Sequence, residues 1–448
     1  MPLFDRAALQ PGVARREVFG WAMYDFANSG YTTVVLTAVF AAYFVGGIAG
    51  GAAWATLAWT SALSLSYALV MLTMPGIGAY ADRHAAKKKL LGWSTAACVL
   101  ATALLALTPS VQGTAGVALA MALIVLSNTF YSYGESLCAA FLPELARHES
   151  LGKVSGWGWS WGYIGGMLAL GLCLGYVLWA QSRGLPASHF VPVTMLITAV
   201  LYGAAACLTF ALLKERAVAR PDSAADGAGA PGGGWRPSLA RLRQRVRAVR
   251  GHPDFCWLLA CTVAYQGGVA VAITLAAIYA EQVIGFVPHE TMLLIFALNL
   301  AAAAGAFLCG YGQDRLGHRR MLALTLLGWI VTCLLAAWAT TKGQFWWAAA
   351  IAGLCMGSSQ SAGRAMVGLL APEPRLAEFF GLWTLATRLA SIIGPLSYGL
   401  ITWAANGNQR VAILATAVLF VAGLALLWPI DLARGQRSRE PGRGALAP

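Results

Sequence analysis

Apolar residues run along this chain in blocks of about twenty or more, each long enough to cross a bilayer as a helix. Twelve are predicted, at roughly 18–45, 55–81, 88–108, 114–142, 153–180, 190–213, 254–284, 289–312, 319–340, 345–371, 377–403 and 409–430. One long polar stretch interrupts them, 214–253. It opens Lys214-Glu215-Arg216, passes through an Ala/Gly/Pro-rich segment ending Pro231-Gly232-Gly233-Gly234, and closes on a basic run. The expected organisation is therefore a tail (1–17), a six-helix bundle (18–213), a linker (214–253), a second six-helix bundle (254–430) and a tail (431–448). The fold class is an all-α membrane protein with twelve transmembrane helices.

Composition agrees. Of 448 residues, 58% are hydrophobic and only 11% charged, with 50 glycines, a balance outside the range of soluble domains. The first seventeen residues hold Arg6, Arg15 and Arg16 and no apolar core, so no cleaved signal peptide is expected. With the N-terminus in the cytoplasm, 28 of the 31 Lys and Arg fall on that side, leaving Arg183, Lys342 and Arg410 opposite. That asymmetry predicts a cell (inner) membrane protein with both termini cytoplasmic. It also assigns the net charge of +13 to anionic lipids at the cytoplasmic face and not to nucleic acid. Within the linker, Arg236–Arg250 spaces Leu239, Leu242, Val246 and Val249 as on one helix face, a pattern fitting either a surface-lying helix or a solvated one. The nine cysteines lie within apolar spans and the six histidines in loops or at span ends, so neither a cofactor nor a metal is expected. A monomer is the expected state.

A repeat adds the architecture. Gly78-Ala79-Tyr80-Ala81-Asp82-Arg83, then Lys87-Lys88-Lys89, returns 232 residues later as Gly310-Tyr311-Gly312-Gln313-Asp314-Arg315, then Arg319-Arg320. Each copy closes the second span of its half, so the chain holds two versions of one design. Gly78 and Gly310 permit close helix approach, and Asp82 and Asp314 sit where an acid can face a helix N-terminus. The basic residues that follow are expected to hold the turn at the headgroups. The motif resembles the loop signature of the major facilitator superfamily. That resemblance implies two pseudo-symmetric bundles, a conformational-switch role for Gly78, Asp82, Arg83, Gly310, Asp314 and Arg315, Asp82 near 377–380, and Asp314 near the start of span five. The first copy has Ala86 where the family often has Gly.

Span one carries Gly20-Trp21-Ala22-Met23-Tyr24-Asp25-Phe26-Ala27-Asn28-Ser29-Gly30-Tyr31, which resembles the opening of one subgroup, the vacuole-effluxer or autophagy-22-like transporters. Phe141-Leu142-Pro143-Glu144-Leu145, Val154-Ser155-Gly156-Trp157-Gly158, Arg364-Ala365-Met366 and Glu378-Phe379-Phe380-Gly381-Leu382 are similar too. The resemblance implies transport, and through its eukaryotic members amino-acid efflux.

Charges within spans are costly and point to function. Asp25 and Glu135 lie roughly 10 Å from the cytoplasmic end of their spans, Arg364 at similar depth and Arg388 about 16 Å in. The acids belong to the first half and the bases to the second. They are read either as a gate formed across the interface or as ligands for the two ends of a zwitterionic solute; a third reading satisfies each within its own half. Tyr24, Asn28, Asn128, Tyr131, Tyr265, Gln266 and Gln360 complete the candidate substrate or coupling set, with hydrogen bonding between helices as the plainer role. The glycine-rich run of span five is expected to pack closely, with some of Trp157, Trp159 and Trp161 facing lipid. No Ser-His-Asp pattern and no phosphate-binding loop is present, so the reading is a secondary transporter of a small polar or zwitterionic solute, with protons as a candidate coupling ion. A lipid or lipid-linked precursor flippase on the same fold is the alternative.

Overall fold

The computed structural model describes residues 4–50, 55–111, 113–217, 249–286, 288–372, 375–405 and 408–437. Twelve long helices carry most of these: α1 (Arg15–Tyr31), α2 (Ala55–Arg83), α3 (Lys87–Leu104), α4 (Gly113–Ala139), α5 (Leu151–Ser182), α6 (Ala187–Leu212), α7 (Pro253–Tyr279), α8 (Pro288–Leu316), α9 (His318–Trp338), α10 (Lys342–Leu370), α11 (Leu376–Ala404) and α12 (Gln409–Leu427). Among the described residues ten helices are long and apolar enough to cross a membrane by length and composition; α1 and α10 are outside that set. Both carry polar interiors, Asp25-Phe26-Ala27-Asn28-Ser29 in one and Ser358-Ser359-Gln360-Ser361 with Arg364 in the other. These two helices hold half of the chemistry described below. Most of the linker's basic segment, the run Pro231–Gly234 and the tail beyond residue 437 lie outside the described residues.

Side chains such as Leu100, Val200, Leu308, Leu334 and Val418 point outward, while small and polar residues fill the helix contacts, the inverse of a water-soluble core. Packing repeats six helices on. In the first half α1 lies on α5 and α6, α2 on α4, and α3 on α4 and α6. In the second, α7 lies on α11 and α12, α8 on α10, and α9 on α10 and α12. The halves meet through α2 against α11 and α5 against α8, with further contacts of α5 on α10 and α4 on α11.

Both ends of the described chain sit on one face, here the basic face. Leu9 bridges to Ala146 after α4, and Arg434 pairs with Asp254 at the start of α7 at 2.7 Å. Span one does not remain one helix to its far end. After Tyr31 it winds as a π-helix over Thr32–Ala38 and again over Phe44–Ile48. The β-branched run Thr32-Thr33-Val34-Val35 crowds a regular α-helix, and Thr37 Oγ1 donates to the Thr32 carbonyl five residues back at 3.1 Å. The symmetry-related α7 also ends in a π-turn, Ala280–Ile284, closed by Gly285 at φ 81°.

Candidate functional site

Among the described residues, two acid–arginine pairs cross between the halves. Asp25 Oδ2 accepts from Arg364 Nη1 at 2.7 Å, joining α1 to α10. Glu135 Oε2 accepts from Arg388 Nη2 at 2.5 Å, joining α4 to α11. Of the three sequence readings, private satisfaction within one half is excluded for this conformation.

The pairs differ in their surroundings. The Arg364 guanidinium is held on every side. Its Nε donates to Ser155 Oγ at 3.2 Å and its Nη2 to the Ser155 carbonyl at 3.0 Å, both on α5. It lies between two indoles, 4.8 Å from the Trp21 ring and 5.1 Å from Trp159. The glycine run of α5 makes this possible by letting α1 close upon it. A Cβ on Gly158 would stand 2.7 Å from the Trp21 ring, and one on Gly162 would stand 3.2 Å from the Asp25 carbonyl oxygen. Arg388 is less completely enclosed. It lies 5.4 Å from the Tyr67 ring and 5.9 Å from Tyr131, its Nε has no hydrogen-bond partner among the described residues, and the Glu135 side chain is 31% exposed against 13% for Asp25. Tyr131 in turn stacks on Tyr31 at 5.1 Å.

Other candidates sit elsewhere. Asn28 accepts from Tyr202 at 2.5 Å and Tyr24 bonds Thr95 at 2.9 Å, so both tie α1 into its own half. Asn128 donates to Ser66 at 2.6 Å, α4 to α2, and is fully buried. Gln266 donates to Gln360 at 2.7 Å, α7 to α10, with the buried Tyr265 beside them. In this conformation Tyr24, Asn28, Asn128 and Gln266 are interhelical ties within a half, through neighbours that sequence spacing does not reveal; Tyr265 is bonded by Gln266 of its own helix, and Asn128 Oδ1 has no partner among the described residues. Sequence reasoning also passed over Ser155, Trp21, Trp159 and Tyr67. The first three lie inside motifs already visible in spans one and five.

At the basic face the repeated turns make matching contacts. Asp82 accepts from the backbone N–H of Glu378 in the first turn of α11 at 3.0 Å. Asp314 accepts from Gly152 N and Lys153 N in the first turn of α5, at 3.1 and 3.2 Å. Each acid thus satisfies the open N-terminal amides of a helix from the other half and faces its positive dipole end. Gly78 and Gly310 clear the way: a Cβ on Gly78 would stand 2.9 Å from Glu378 Cα, and one on Gly310 would stand 2.9 Å from the Gly152 carbonyl oxygen.

Two sequence expectations need correction here. The turn's glycine position is Ala85, not Ala86: Ala85 adopts φ 47° and its equivalent Gly317 adopts φ 89°. The basic cluster does not all reach the headgroups. Lys87 is 2% exposed, ion-paired to Glu144 and 3.7 Å from Asp82, and Lys88 Nζ donates to the Leu213 carbonyl at 2.6 Å. Arg83, Lys89, Arg315, Arg319 and Arg320 are the exposed members. Of the three span-five tryptophans, Trp157 is buried and Trp159 and Trp161 are partly exposed; Trp157 Nε1 donates to Tyr311 Oη at 3.2 Å and Trp161 packs on Phe19 and Phe26. Around Lys87 the linker's first residues are fastened too. Glu215 accepts from Lys87 N and Lys88 N at 2.7 and 3.1 Å, and Arg216 pairs with Glu17 at 2.8 Å. Glu215 is half-buried, and that burial pushes its carboxyl up from the ordinary value against the pull of those amides.

Twelve helices in two matching bundles, with charges buried where the bundles meet, define a transporter of the major facilitator superfamily. The chain belongs to the family described as vacuole effluxer Atg22 like, whose model matches residues 56–440. A Bacillus subtilis (strain 168) relative, the uncharacterized MFS-type transporter YxiO, is 27% identical over 416 residues, covering 91% of this chain and 93% of that protein. Autophagy-related protein 22-1 of Aspergillus niger is 27% identical over 218 residues, 45% of this chain and 35% of that protein. Among solved structures the fold is that of FucP in the outward conformation (TM-score 0.70, 16% identity, 93% of this chain and 98% of that one). It is equally that of the human organic anion transporter MFSD10 (TM-score 0.66, 15% identity, 93% and 100%).

Proposed function

We infer that this transporter moves a small polar or zwitterionic solute by alternating access, with Glu135 and Arg388 as the groups exchanged between each other and the solute. One observation carries the reading: of the two pairs between the halves, this one has the more exposed acid, an unused guanidinium donor and two tyrosine rings beside it. A carboxylate on Arg388 and an ammonium on Glu135 would replace the internal pair with two charge-assisted contacts, so solute entry and pair separation are one event. Amino acids fit that chemistry, and their efflux fits a family of vacuole effluxers. Asp25 and Arg364, with every guanidinium nitrogen engaged, serve as the lock between the halves.

The distribution of Lys and Arg supports a cell (inner) membrane location with the basic face cytoplasmic, so the conformation described is closed to the cytoplasm. Proton symporters share the fold, and Glu135 is the acid placed to exchange a proton once Arg388 turns to the solute. Nothing in the relatives or the site favours lipid flipping: the groups between the halves are two acids and two arginines, matched in number.

The experiment is a thermal-shift screen of amino acids against the purified protein, followed by solute and proton flux in proteoliposomes for Glu135→Gln and Arg388→Lys. A bound solute raises apparent stability by mass action. Arg388→Lys should weaken that shift by about tenfold in affinity, because a lysine cannot offer the planar fork, and Glu135→Gln should abolish proton-linked accumulation. Unchanged binding and accumulation in both variants would remove the assignment.

A further inference from the structure

The second bundle encloses a cavity that the transport site does not use. It runs inward from the far face, from Tyr279 and Phe345 down to Gly268 and Trp329, and part of it is open to the surface. The eleven-residue rise from Gly268 to Tyr279 along α7 makes it roughly 16 Å deep. Its walls are apolar. The hydroxyls of the lining Thr332 and Thr416 are bonded to Gly328 O at 3.0 Å and Ala412 O at 2.9 Å, and that of Tyr279 to Ala336 O at 2.9 Å. A space with so few free polar groups does not hold water well and takes an apolar occupant.

Its outer end is different. Arg410 stands one helical turn before the lining Ile413 and donates to the Ala337 carbonyl at 2.5 Å, next to the carbonyl that receives Tyr279. The guanidinium is therefore beside the cavity's end. Among the described residues it is paired with no carboxylate, whereas Lys342 on the same face pairs with Glu290 at 2.6 Å. Exposed Trp338 and Trp347, at the end of α9 and the start of α10, mark the level of the membrane interface there.

We propose that this cavity binds an anionic phospholipid from the leaflet opposite the termini, one acyl chain filling it and the phosphate resting on Arg410. The order of chemistries matches that ligand: cation at headgroup level, then an apolar shaft of chain-like depth beneath. The lipid is a bound component and not cargo, since the cavity lies inside one bundle and away from the surfaces where the halves part.

The test is photo-crosslinking of the full-length protein in detergent with phosphatidylglycerol bearing a diazirine in its acyl chain, adducts being mapped by peptide mass spectrometry. Adducts are expected on Thr332, Cys333 or Thr416, competed by unlabelled phosphatidylglycerol and weaker with the matching phosphatidylcholine probe. Arg410→Gln should lower the phosphatidylglycerol yield by about tenfold, the worth of one charge-assisted contact. Adducts confined to outward residues such as Leu334 and Val418, or equal yields from the two headgroups in the unmodified protein, would overturn the proposal.

Discussion

Arg364 and Arg388 carry the same charge into the membrane and end in different environments. Arg364 has every donor group engaged, so Asp25→Asn strands a buried cation. In a buried pair that loss costs up to about 3–5 kcal/mol in the conformation holding the pair. Spin-label distances between the basic ends of α2 and α11 should lengthen in Asp25→Asn, and Ser155→Ala should do the same more weakly, at about 1 kcal/mol. Distances unchanged in both variants would mean that the lock lies elsewhere. Ala85 offers a gain instead of a loss. An L-residue at φ 47° is strained, so Ala85→Gly should raise the thermal midpoint, by up to about 1 kcal/mol of stability; a lowered midpoint would show the strain to be absent. The four charges were legible in the sequence because each interrupts an apolar run, and such interruptions are rare without a role. Their partners were not. Nothing in spacing says that Asp25 turns to α10 while Asn28, one turn on, turns to Tyr202. Nor does spacing show that Tyr24 bonds Thr95 or that Asn128 bonds Ser66.

The elements repeat, and the repeat tells which contacts matter. Asp82 on α2 meets the start of α11 and Asp314 on α8 meets the start of α5, one arrangement under a pseudo-twofold. Helix positions and the duplicated turns were readable from the sequence, since apolar length and a 232-residue offset are properties of the chain itself. The π-wound ends of span one and α7 were not, because apolar length carries no winding. Nor was the burial of Lys87, which depends on Glu144 arriving from beyond α4. Gly78→Val would place a branched side chain into the backbone of α11, and Gly310→Val would do so against α5. Both should open the basic face, seen as faster alkylation of a cysteine introduced at Ser361, which is buried here. A rate equal to that of the parent in both variants would show that the glycines are not needed for closure.

As a whole the halves are joined at the basic face by two helix-end contacts, deeper in by two ion pairs, and along their length by the packing of α2 on α11 and α5 on α8. The far ends of span one and α7 pack mainly within their own halves. On the alternating-access reading proposed above, residues 18–213 and 254–430 rock against each other, breaking the basic-face contacts and forming others opposite. The measurement that tests this most directly is uptake of a radiolabelled amino-acid mixture into proteoliposomes containing a cysteine pair that joins the last turn of α2 to the first turn of α11. With the crosslink complete, uptake should vanish and return on reduction. Full uptake through the crosslinked protein would contradict the rocking account.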